Sequence, residues 1–261
     1  MEFLSLSLLA GSPYVIPEMQ IELIQPKIKD IALLGEFSFY QAVSVFGITK
    51  EAYQKQVEKT IEEQELDEET RAKLLGQLAL TSNLTIVLEV LNGNNDLKNA
   101  FTGLLFLLLP KLQKCSIDER FMLLSFLDGD KRTDKIVSDT EFSLLSHAIG
   151  RMFDMGEKDK SAFNPANDKA AQIAAKIESR RSKVAKETGK DGQKTSALAT
   201  AVSIISTADG IPLQEVLNYT IPQLHFQLER SKKYSEFQTQ ITLGAFGGLQ
   251  DVEIAEWMHS I

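Results

Sequence analysis

Lys176, Arg180, Arg181, Lys183 and Lys186 fall within eleven residues of one another, and they come nearer to a recognisable chemistry than any other cluster in the chain. Lys176, Arg180 and Lys183 are three or four residues apart, so on a helix they share one face. Lys/Arg gathered on one face is the footprint of a phosphate or acidic-partner contact. No aromatic residue is interleaved with them, so the stretch offers no platform for stacking bases. The plainer reading is a solvated helix, or one that docks on the acidic Glu51–Glu69 section of the same chain. The net charge of −8 over 261 residues favours that reading over a general nucleic-acid surface.

Other candidate sites fail on spacing. Asp128, Asp130 and Asp139 suggest a calcium loop. Such a loop needs an oxygen ligand at its fifth position, glycine at its sixth and a bidentate Glu at its twelfth. Counted from Asp128 these are Arg132, Thr133 and Asp139, so the segment reads as a charged hairpin turn. Gly244–Gly248, GAFGG, is neither a dinucleotide fingerprint nor a phosphate loop, and reads as the end of a helix. His147, His225 and His259 are scattered without metal-ligand spacing. His147 lies among apolar residues and is expected in the core. Cys115 is the single cysteine, which excludes an internal disulfide. No Cys/His or Ser/His/Asp arrangement surrounds it, so a small, partly buried hydrophobe is expected. The sequence therefore points to no catalytic residue, no metal and no cofactor, and to a protein that is not an enzyme.

The elements that would position any site read as mainly α, with small β-hairpins near residues 3–24 and 120–138 (α+β). Leu4, Leu6 and Leu8 alternate with serines, which predicts a strand, with Gly11-Ser12-Pro13 as the turn. Ile21 and Leu23 predict a second strand. Ile28, Ile31, Leu34, Tyr40 and Val43 fit a helix interrupted near Gly35, and residues 51–80 read as acidic helices. An apolar helix is expected over Leu97–Leu112. Its FTGLLFLLL run is too short to span a bilayer and stops at Pro110. Asp128-Gly129 between apolar stretches predicts a hairpin, followed by a helix over Thr140–Met155 with Phe142, Leu145, Ile149, Met152 and Phe153 inward. The N-terminus has no basic residue ahead of its apolar run and makes a poor signal peptide.

Composition shifts near Asn164. The reading is an N-terminal α+β domain over 1–160 and a C-terminal helical domain over 161–261, with the basic helix and a flexible loop at 187–196. Ala197–Thr207 reads as a tightly packed helix. Pro212 and Pro222 each suit a first helical turn. Thr220 and Gln223 have capping-box spacing. Beyond them Ile221, Leu224, Leu228, Tyr234, Phe237 and Ile241 recur at steps near the helical period.

Four stretches are together similar to a family of tailed-bacteriophage proteins encoded among the tail genes. IQPKIKDIALLGEFSFYQAV (24–43) resembles its early segment, and FNPANDKAAQIAAKIESRRSKVAK (163–186) its basic helix. IPLQEVLNYTIPQLHFQLERSKKY (211–234) resembles its Leu-Asn-x-Thr-Ile block with an amphipathic Gln-Leu helix, and DVEIAEWMHSI (251–261) its Trp-containing end. The chain departs from the family at Pro222, where an aromatic is common. The resemblance implies a tail or baseplate component or a tail-assembly chaperone that works by binding other tail proteins. It implies a place in the host cytoplasm during assembly or in the virion tail, with no membrane partner, and leaves oligomerisation open. Leu224, Leu228 and Phe237 would close the core, and Phe226, Tyr234 and Trp257 would face a partner. The alternative is a nucleic-acid-binding accessory protein using residues 176–190.

Overall fold

The structure is a computed structural model and describes residues 4–63, 68–153 and 196–245. It is mainly helical, with two small antiparallel sheets. The chain divides into two compact units. Met1–Asp154 and Leu217–Gln227 make the first; the described part of the second comprises residues 196–216 and 228–245.

The first unit begins with a short helix, α1 (Leu4–Leu9), where alternation predicted a strand. Its C-terminus explains the difference. The Gly11 amide donates to the Leu8 carbonyl and the Ser12 amide to the Ser7 carbonyl, with Gly11 at φ +66°. This is the paired closure of a helix that ends in a left-handed glycine, with proline close behind. The same Gly-Ser-Pro signal can cap a helix or turn a hairpin. The first hairpin lies further on, between β1 (Tyr14–Ile16) and β2 (Ile21–Leu23), and turns Ile16, Ile21 and Leu23 inward.

Gly35, at φ +89° and ψ 128°, separates α2 (Ile28–Leu34) from α3 (Glu36–Val45). A side chain rarely tolerates that backbone, so glycine is what permits the break. The acidic section forms α4 (Lys50–Glu63) and α5 (Glu68–Leu80). Two further helices follow, α6 (Asn83–Gly93) and α7 (Asn95–Leu108). The apolar helix stops four residues before the expected Leu112, because Leu109 precedes Pro110 and is driven to extended geometry. Gly103 on α7 lets Leu34 approach closely: a Cβ there would lie 2.7 Å from Leu34 Cδ1.

After Pro110 comes a strand the sequence did not suggest, β3 (Leu112–Ile117). Its pairing with β4 (Met122–Asp128) shifts register between Leu112 and Lys114, so the period-two pattern is broken where it would be read. β4 pairs with β5 (Lys131–Val137) as the Asp-Gly signal predicts, through a two-residue loop that begins at Gly129, φ +60°. Next is α8 (Asp139–Met152), with Phe142, Leu145, Ile149 and Met152 buried and Phe153 half-buried. Aromatic rings join these layers. Phe46 packs on Phe101 and Phe142 at 4.9 and 5.7 Å, and Phe39 meets Phe153 edge-on at 5.4 Å.

The second unit opens with α9 (Ala197–Asp209), capped by Ser196 Oγ, which accepts from the Ala199 amide at 2.8 Å. Leu198, Ala201, Val202 and Ile205 are its buried residues, and Gly210 ends it in the left-handed region. The first Ile-Pro leads into a single turn, α10 (Leu213–Val216). The second leads into α11 (Ile221–Ala245), whose first turns count with the first unit. Thr220 and Gln223 form the predicted capping box: the Thr220 amide donates to Gln223 Oε1 at 2.9 Å, and the Gln223 amide to Thr220 Oγ1 at 3.4 Å.

Two substitutions follow from these backbone features. Thr220→Ala removes the capping oxygen and is expected to cost about 1 kcal/mol in urea unfolding. Gly35→Ala forces a Cβ into a disfavoured backbone and is expected to cost roughly 1–3 kcal/mol. An unchanged midpoint for either would contradict the geometry.

Candidate functional site

Most of the residues the sequence nominated for contacts lie outside the described residues. Lys176, Arg180, Arg181, Lys183 and Lys186 are among them, as are Trp257 and His259. Phe226 and Tyr234 are described. They sit eight residues apart on α11, about two turns. Phe226 is half-buried, whereas Tyr234 is 53% exposed.

The apolar periodicity of α11 does not correspond to one buried stripe. Ile221 and Leu224 are core residues, and Leu228 and Phe237 are half-buried. Ile241 is exposed with Tyr234, and the buried position between them is polar: Ser231 Oγ donates to Asp209 Oδ2 at 2.7 Å. The spacing could show that these side chains share a helix face. It could not show where along the helix the covering elements stop. Among the described residues, Tyr234 and Ile241 therefore form an unpartnered apolar face.

A second exposed group was missed. Leu33 on α2 is 89% exposed, and on α3 Phe37 and Tyr40 are 71% and 41% exposed. Leu34 and Tyr40 share the helical spacing of Ile28, Ile31 and Val43, yet Leu34 is half-buried and Tyr40 exposed. The break at Gly35 rephases the second helix, so Phe39 is the aromatic that enters the core. Phe37 and Tyr40 are three apart and share the outer face of α3. The signal available beforehand was the glycine break itself, which resets the helical count. Burial raises the Tyr40 hydroxyl pKa, and the neighbouring Glu36 carboxylate adds to it.

The candidates for chemistry resolve into structure. Cys115 is half-buried on β3. Burial pushes its thiol up to about 11, against the smaller opposing effects of a hydrogen bond with Thr102 and of Lys98. A thiol so protonated is a poor nucleophile at neutral pH. His147 is exposed on α8 and His225 on α11, which corrects the expectation of a core histidine at 147. Asp139 accepts the Leu84 amide at 2.8 Å, so its carboxylate sits at the N-terminal turn of α6, where a negative charge is favoured. No group of three or more His, Cys, Asp or Glu residues could hold a metal among the described residues.

A connected polar cluster joins the second sheet to α8. Lys135 Nζ contacts Glu141 Oε1 at 2.9 Å and donates to the Met19 carbonyl at 3.2 Å. Glu141 Oε2 accepts from the Ser138 amide and hydroxyl, both at 2.9 Å, completing the capping box of α8. The Ser138 amide, with Lys135 and the Ser138 hydroxyl, holds the Glu141 carboxyl below its ordinary value of 4.5. This fixes strand to helix.

With that geometry in place, the comparisons bear on one end of the chain. Residues 190–261 match a family model described as YomV second domain. YomV is a protein of a Bacillus phage region, so the match suggests a phage-associated protein. The matched stretch takes in residues 211–234 and 251–261 and does not reach residues 24–43 or 163–186. It also contains Phe226, Tyr234 and Trp257. No curated protein and no solved structure matches the chain. No helix of the described residues is long and apolar enough to cross a membrane.

Two measurements check the electrostatics. Alkylation of Cys115 by iodoacetamide at pH 7.5 is expected to run at least tenfold slower in the folded chain than in urea; equal rates would contradict a raised thiol pKa. Because the folded Glu141 carboxyl is held low, its stabilisation is complete above 4.5 and is lost as pH falls through the folded value. The thermal midpoint of Glu141→Gln should therefore fall below wild type at pH 7, and the gap should shrink as pH falls below 4.5. A gap that stays constant with pH would overturn the assignment.

Proposed function

We propose that this protein is a phage tail or baseplate assembly or structural protein that acts by binding other proteins of that assembly, without catalysis. The observation that carries the reading is the exposed Tyr234 on α11, inside the stretch that matches the YomV second domain. Exposed aromatic side chains bury much area at small entropic cost, and for that reason they dominate interface energetics. Leu33, Phe37 and Tyr40 supply a second group of exposed apolar side chains on the first unit. Support for a contact role over a chemical one comes from the site candidates. The thiol is protonated, the carboxylates at 139 and 141 cap helices, and the cation at 135 is paired. In this reading the protein is present in the host cytoplasm during assembly, with retention in the virion tail as the further step.

The test is co-expression with the neighbouring genes of its source genome and purification through a tag on this chain. Recovery of a tail-tube, tape-measure or baseplate protein in fixed stoichiometry is expected. A Tyr234→Ala chain that melts at the wild-type temperature should recover at least tenfold less of it, and Trp257→Ala should behave likewise. Recovery of nucleic acid instead, lost as salt rises, would overturn the reading and move the function to the Lys176–Lys186 stretch.

A further inference from the structure

We draw no further inference here: the strongest candidate, the exposed apolar face of Leu33, Phe37 and Tyr40 on α2 and α3, belongs to the contact surface already described, and nothing in the structure shows what covers it.

Discussion

Two backbone amides depend on a segment almost two hundred residues away. Ile28 and Lys29 begin α2, and the first amides of a helix have no partner within it. Here they donate to the carbonyls of Tyr219 and Leu217 at 2.9 and 3.0 Å. Lys27 and Thr220 form a β-bridge beside them, and Gln223 Nε2 donates to the Leu9 carbonyl at 2.7 Å. The segment Leu217–Gln227 thus closes both the start of α2 and the end of α1. In return, the first unit receives Ile221 and Leu224 into its core. Ile28 is buried, and a buried amide without a partner costs stability comparable to a lost hydrogen bond, so the bond to Tyr219 stabilises the start of α2. The return of the chain also explains why Gln223 sits where it does, since one side chain serves both its own helix cap and α1.

The remainder of the first unit is built on two kinds of contact. Aromatic rings at Phe39, Phe46, Phe101, Phe142 and Phe153 fill the space between α3, α7 and α8. Lys135 and Glu141 then fasten β5 to α8, while Lys135 also reaches the turn between β1 and β2. In this arrangement Glu141 caps α8 and Lys135 ties β5 to it.

Much of the fold was legible because local signals and tertiary structure agree. The Thr220/Gln223 box, the Gly35 break, the β4–β5 hairpin and the inward face of α8 all follow from residue spacing and backbone preference. Failures occurred where one signal serves two structures or a pattern is interrupted. Gly11 caps a helix with the residues that would also turn a hairpin, and the shift between Leu112 and Lys114 hides β3. The exposed apolar side chains were legible only in part. Tyr234 was named as outward-facing through the family resemblance, but Leu33 and Phe37 were not. The exposure of Phe37 depends on how α3 is rotated after Gly35, whereas Leu33 lies on α2, ahead of the break, on the side away from the buried Ile28 and Ile31.

The claim on which this account rests most heavily is that Leu217–Gln227 is an integral part of the first unit, so that α11 begins in one core before it presents Tyr234. Native-state hydrogen exchange on the intact chain tests it at the amides concerned. The account predicts that Ile28, Lys29 and Thr220 exchange as slowly as Phe101 and Leu105 in the middle of α7, and lose protection together with them in denaturant. Exchange of Ile28 and Lys29 at the rate of exposed helix ends, with α7 still protected, would contradict it.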